Sequence, residues 1–274
     1  MHRWQVGEVE IVRITDDDFV LPVDRPVPSW AVPDLATASG EVGIAFSAIS
    51  VADGDRRIVI DPWLANDGPR SGPTADADRH VQRLLDRLAG AGFRADSVDT
   101  VVNTHWDGDG WNTRSAAAAP KRGWVPTFPN ARYLYSTQEL SRFRSGSHES
   151  APEAMAVLDA AGVLEPIEAG TEISDHVRVL DAPGHRDGHL AVRVESGGDL
   201  CIVPGHLVLS PLQIDDPTTA ADEDPEAATA SRRRLLAELA DRHGLLLTTL
   251  MGGPGGGFVS RNDAGDGGYR LDPS

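Results

Sequence analysis

Lysine is almost missing from this chain: Lys121 is the only one among 25 basic residues in 274, and 42 acidic side chains leave a formal charge of −17. Phosphate backbones and anionic lipid are poor partners for such a polyanion, because contact adds like-charge repulsion to the cost of desolvation. Cysteine is equally scarce. The single Cys201 excludes an intramolecular disulfide framework and any cysteine-rich zinc module, in agreement with a reducing compartment. Long apolar runs are absent too. No stretch approaches the roughly 20 residues of a spanning helix, and the opening MHRWQVGEVEIVRITDDD lacks an uninterrupted apolar segment. The expected setting is cytoplasmic, with neither nucleic acid nor membrane as partner. With 40% apolar and 24% charged residues the chain has material for a core, which excludes general disorder. It shows no internal repeat, so one domain over 1–274 is the simplest organisation.

Short apolar stretches alternate with Gly- and Pro-rich turns. Alternation predicts strands over 6–15, 41–51 and 57–61, and the first third reads as antiparallel sheet. Val81, Leu84, Leu85 and Leu88 at helical spacing predict a helix over 78–88, and 99–104 returns to a strand that runs into THWDGDGW. A strand over 131–136 is followed by helices over 137–143 and 151–161. Further strands are expected at 177–180, 189–195, 200–203 and 245–251, with a helix over 225–243. Two groups of strands, each closed by helices, predict an α/β fold of packed sheets with helices outside.

Three polar loops directly follow apolar strands, where a rigid scaffold holds chemistry best. They are His105-Trp-Asp107-Gly-Asp109, Pro183-Gly-His185 and Pro204-Gly-His206. Residues two apart in an extended segment point the same way, which allows His105, Asp107 and Asp109 to converge. A lone histidine is more often structural. Three such loops with the same placement argue for a shared site.

In this order the segments IVIDPW, VVNTHWDGDGWNT, WVPTFPNARYLYS, DAPGHRDGHLAV, PGHLVLSPLQI and the terminal GGPGGGFVSR with GGYRL resemble the metallo-β-lactamase superfamily, in its lactonase- and parathion-hydrolase-like branch. The resemblance spans nearly the whole chain and implies an αββα sandwich with a metal site on one edge of the two sheets. It also implies a ligand pattern from which this chain departs. Where the family reads His-x-His-x-Asp-His, the chain has His105, Asp107, Asp109 and Gly110. The family's next histidine corresponds to His185, its metal-bridging aspartate to His206, and its last histidine to Leu250.

A carboxylate bridges two cations because it has two oxygens, whereas a neutral imidazole offers one lone pair to one metal. With His206 at that position the usual bridge is lost, and a second metal would keep only Asp109 and His206, too few for tight binding. His105, Asp107 and His185 remain as metal ligands, with His206 as a fourth ligand or an acid/base. Such a set suits one divalent ion, zinc foremost, with iron(II) and manganese as the other candidates. Asp109, released from a second metal, is the expected general base. The implied activity is hydrolysis of a small-molecule ester, lactone or other acyl compound. Two alternatives are a non-hydrolytic biosynthetic step on the same fold, such as cyclisation, elimination or iron-dependent oxidation, and a degenerate member that binds without turnover. Relatives are often dimeric, which makes a homodimer an option.

Other conspicuous residues have blander readings. His189, four after His185, is expected beside the site rather than on the metal. Trp106 and Trp111 read as core at least as readily as pocket wall. His2, His80, His148, His176 and His243 receive no role, and Cys201 is expected to be buried and inert. GGPGGG lacks a following Lys-Ser/Thr, so it reads as a flexible turn over the site edge rather than a phosphate loop. The acidic stretch over 215–226 reads as a solvated loop.

Overall fold

The apolar runs belong to strands that are covered on both faces. The computed structural model describes residues 1–31, 33–62, 75–106, 112–115, 123–146, 153–218, 222–262 and 268–272, with backbone alone at 17, 75–78, 80, 115 and 153. The chain opens with strands β1 (His2–Val6), β2 (Val9–Pro22), β3 (Glu41–Asp53) and β4 (Arg56–Ile60), then helix α1 (Ala75–Gly90) and strand β5 (Thr100–Val102). A small pair, β6 (Thr113–Ser115) and β7 (Trp124–Pro126), precedes β8 (Arg132–Ser136), helices α2 (Thr137–Ser145) and α3 (Glu153–Ala160), and β9 (Leu164–Ile167). The second half holds β10 (Val177–Asp181), β11 (Leu190–Ser196), β12 (Asp199–Val203), α4 (Pro211–Asp215), α5 (Pro225–Arg242), β13 (Leu245–Leu247), β14 (Gly256–Arg261) and β15 (Tyr269–Asp272).

Two sheets result, in the orders β1-β2-β3-β4-β5-β8-β9 and β10-β11-β12-β13-β14-β15. Hairpins make β1 to β4 antiparallel, while β4/β5, β5/β8, β8/β9 and β12/β13 pair in parallel. Parallel neighbours need a crossover, and α1, the α2–α3 pair and the α4–α5 pair supply three of them.

Alternate residues of each strand face different cores. Ile11, Ile49, Ile58 and Ile60 meet Val179, Val192, Cys201 and Leu245 between the sheets. Val12, Ala48, Val59 and Tyr133 point outward to Leu84 and Leu88 of α1 and Met155 of α3. On the other side Ala191, Ile202 and Leu246 lie under Leu235 and Leu239 of α5. Helix, sheet, sheet, helix is therefore the layer order, an α/β sandwich of the expected kind. At about 25 cal/mol per Å² of apolar surface removed from water, this burial is the main force holding the layers together.

Several expected boundaries shift. The strand predicted over 6–15 is two strands, because Gly7 at φ 54° opens a tight turn that the apolar alternation runs through. The strand expected over 245–251 ends at Leu247. GGPGGG is not all turn, since Gly256 and Gly257 pair in β14. The rest of that turn is gripped by Arg13, which is fully buried and donates to the carbonyls of Thr248, Met251 and Gly253. Cys201 is buried as expected, and burial pushes its thiol pKa up. No helix among the described residues is long and apolar enough to cross a membrane.

Candidate metal centre

Strand ends of both sheets converge on one edge of the sandwich, where open α/β sheets place ligands. His105 follows β5, His185 follows β10, and His206 sits in a single 3-10 turn after β12. One ring nitrogen from each of the three lies within 4.8 Å of the others. Ring centroids are 4.3 Å apart for His105 and His206, 5.2 Å for His105 and His185, and 5.5 Å for His185 and His206. His189 adds a fourth ring 4.9 Å from that of His105.

Outer hydrogen bonds decide which nitrogen each ring presents. The Thr104 hydroxyl has one proton and donates it to Asp61 Oδ2 at 2.6 Å. Its contact with His105 Nδ1 at 3.0 Å is then a ring N–H donating to the hydroxyl oxygen, which leaves the Nε2 lone pair for the site. His185 Nδ1 donates to Asp222 Oδ1 at 3.1 Å, again reserving Nε2. Asp222 is itself held by Arg232 Nη2 at 2.9 and 2.8 Å, and both side chains are 1% exposed. His189 Nδ1 donates to the Ala182 carbonyl at 3.1 Å, which fixes this ring in the same way. Carboxylates and carbonyls behind imidazoles are the usual means of fixing tautomer and ring orientation at a metal site.

Burial shifts the titration of three groups around the rings, His189, Asp61 and Glu139. Burial holds the His189 pKa well below the ordinary imidazole value, and His105, His185 and His206 lower it further. Asp61 is pushed up to about 6 by burial, against two Thr104 hydrogen bonds and the charge of His206. Its backbone φ of 39° is rare for a non-glycine residue and turns the chain off β4 so that the carboxyl reaches Thr104. Glu139 on α2 is raised to about 8 by burial, although the Trp106 amide opposes the shift with a 2.6 Å hydrogen bond.

The donor set fits a divalent metal. Three imidazole nitrogens converge, two of them backed by fixed acceptors, as borderline metals such as zinc prefer. This is the one group of three such donors among the described residues. Of the predicted residues, His105, His185 and His206 come together. Asp107, Asp109 and Trp111 lie outside the described residues, as does His148. Leu250, where the family has its last histidine, offers no side-chain donor, and its carbonyl accepts from the Ala45 amide at 2.8 Å. Trp106 is core, 1% exposed and 5.9 Å from the Tyr135 ring.

One expectation is corrected at this site. The acidic stretch over 215–226 is not simply a solvated loop: Asp222 turns inward to His185 and Arg232, because a buried guanidinium requires a buried anion. Asp222, Asp61, Thr104 and Glu139 are the residues that sequence reasoning missed. Asp61 in IVIDPW, Thr104 in VVNTHWDGDGWNT and Asp222 in the acidic stretch stood in segments already singled out, but none was given a role at the site.

The family profile of the metallo-β-lactamase superfamily matches residues 47–249. No curated protein matches the chain in sequence. Among solved structures, the hydrolase AbOPH of the β-lactamase superfamily is 23% identical with a TM-score of 0.73, over 100% of this chain and 97% of that one. AidC, a dizinc quorum-quenching lactonase in complex with its product N-hexanoyl-L-homoserine, is 22% identical at TM-score 0.70 over the same shares. A probable metal-dependent hydrolase from Staphylococcus aureus is 17% identical at TM-score 0.67, over 99% of each chain. At these identities the likeness shows the fold. With a family profile matched across most of its length and helices flanking two packed sheets, the chain belongs to the metallo-β-lactamase superfamily.

Proposed function

We propose that this chain is a metal-dependent hydrolase that holds one divalent ion, zinc foremost, on His105, His185 and His206 and opens a small-molecule ester, lactone or other acyl compound. The observation that carries the reading is the convergence of these three imidazoles within 4.8 Å, with the outer nitrogens of His105 and His185 committed to Thr104 and Asp222. Bound there, the metal supplies Lewis-acid polarisation of a carbonyl and a lowered pKa for water. The protein's own part is to aim the imidazoles, which the Thr104 and Asp222 acceptors do for His105 and His185. In this proposal Asp107 adds a carboxylate ligand and the Asp109 carboxylate takes the proton from the attacking water, both on the strength of their place in the chain after His105. The substrate class is supported by neighbours in fold, AidC among them, whose description names a lactonase and its acyl-homoserine product.

Elemental analysis of freshly purified protein tests the reading, alongside His105→Ala, His185→Ala and His206→Ala. About one equivalent of metal in the parent, lost in the variants together with hydrolysis of a lactone and aryl-ester panel, is expected. Metal content retained in both His105→Ala and His185→Ala refutes the site. Adding zinc, iron(II) or manganese to chelated protein identifies the ion, and an activity restored by iron(II) and not zinc would replace hydrolysis by the oxidative alternative.

A further inference from the structure

We propose that Glu139 is a positioning residue for the metal centre: from the first turn of α2 its carboxyl oxygen holds the Trp106 amide, so that His105 is fixed between two buried carboxyl groups. The inference rests on the reading of His105 as a ligand and concerns what holds that ligand in place. The amide before the His105 side chain, Thr104 N–H, donates to Asp61 Oδ1 at 2.7 Å. The amide after it, Trp106 N–H, donates to Glu139 Oε1 at 2.6 Å. These acceptors come from two different elements, the end of β4 and the start of α2, so rotation of the backbone on both sides of His105 is restrained from opposite directions. Between these two amides the Thr104 carbonyl accepts from Leu190 N–H at 2.8 Å, so the hold on the far side of His105 falls to Glu139.

Glu139 has little other reason to be acidic. It is 2% exposed, in the layer that holds Trp106 and Tyr135, and a carboxyl group at that depth costs stability relative to an apolar side chain. Its second oxygen, Oε2, has no hydrogen-bond partner among the described residues. The Trp106 amide is thus the one described hydrogen bond that its carboxyl group makes.

Helix α2 braces the second ligand loop as well. Gly188, between His185 and His189, has φ 80°, and a Cβ there would come within 2.6 Å of Ser136 Oγ and 2.9 Å of Gln138 Cβ. Arg142 of α2 pairs with Asp187 in the same loop. One short helix therefore contacts both loops, and the Glu139 hydrogen bond ties the His105 loop to the element on which the His185 loop rests. The 5.2 Å spacing of those two rings depends on that tie.

Glu139→Met keeps the volume and removes the acceptor, whereas Glu139→Gln keeps an acceptor oxygen. The readouts are zinc affinity by chelator competition, the visible spectrum of the cobalt(II)-loaded protein, and hydrogen exchange of the Trp106 amide in metal-free protein, each at matched far-ultraviolet dichroism. Glu139→Met is expected to bind zinc about 10- to 100-fold more weakly, with an altered cobalt spectrum and faster Trp106 exchange, and Glu139→Gln to restore all three. Parent-like affinity, spectrum and exchange in Glu139→Met overturns the proposal. Should the parent bind no metal, the metal site itself fails, and Trp106 exchange in Glu139→Met against the parent still decides the role of Glu139. Should Glu139→Met not fold, a rapidly exchanging Trp106 amide in the parent overturns the proposal, and a strongly protected one upholds it.

Discussion

Replacing Asp222 by alanine removes a carboxylate that serves two buried partners at once. Arg232 is 1% exposed and, among the described residues, keeps the carbonyls of Leu207 and Pro217 as acceptors and no other carboxylate, so its guanidinium would lie buried without a described counter-charge. Breaking a buried ion pair from one side costs about 3–5 kcal/mol. The two remaining carbonyls spread part of that charge, which places the expectation near the lower end, at about 3 kcal/mol. His185 Nδ1 would lose its acceptor too, and zinc affinity is expected to fall about 10- to 100-fold, or about 1.4–2.7 kcal/mol. Removing both charges in Asp222→Leu/Arg232→Met separates the effects. Stability should recover by at least about 1 kcal/mol relative to Asp222→Ala, because no uncompensated ion remains, while the metal defect persists. Urea unfolding of chelated protein at constant m gives the first quantity and chelator competition the second. A loss under about 1 kcal/mol in Asp222→Ala, or a double variant no more stable than the single one, refutes the account.

Three further outcomes follow from the same geometry. Gly205→Ala sets a side chain at φ 58° with Cβ 2.2 Å from Thr104 Oγ1 and 2.9 Å from His189 Nε2, so stability should drop by about 1–3 kcal/mol from strain alone, with weaker metal binding. Thermal unfolding and metal titration check it. Arg13→Met leaves the carbonyls of Thr248, Met251 and Gly253 without their buried donor and should cost at least about 2 kcal/mol in urea unfolding. The folded pKa of Glu139, about 8, lies above its ordinary 4.5, so the folded chain binds the extra proton. Stability of metal-free protein should therefore be fully present at the acid end of that window and fall as pH rises from about 4.5 to 8, and Glu139→Gln should flatten this slope.

Local pattern made much of the fold legible. Strands β3, β4, β8, β10, β11 and β12 and helices α1, α2 and α5 fall within a few residues of their expected spans, because apolar alternation and Gly, Pro or Asp boundaries are properties of neighbouring residues. β6, β7, β9, β14 and β15 were not anticipated. Each is three to six residues long, and β14 opens on two glycines, so periodicity had little to register. At the site, His105, His185 and His206 were legible because each stands just after an apolar strand. Asp222 was hidden by its acidic neighbours, and Glu139 read as an ordinary residue of a helix.

What the amino-acid order settled by itself is a strand-rich chain with imidazoles stationed at the ends of β5, β10 and β12, since both features depend on spacing of a few residues. Only the folded molecule decided that those imidazoles meet, and which nitrogen two of them turn toward a metal. The groups responsible lie far along the chain from their partners: Asp222 is 37 residues from His185, Asp61 43 from Thr104, and Glu139 33 from Trp106. A hydrogen bond between such positions exists once two sheets and their covering helices have packed, and no local periodicity records it.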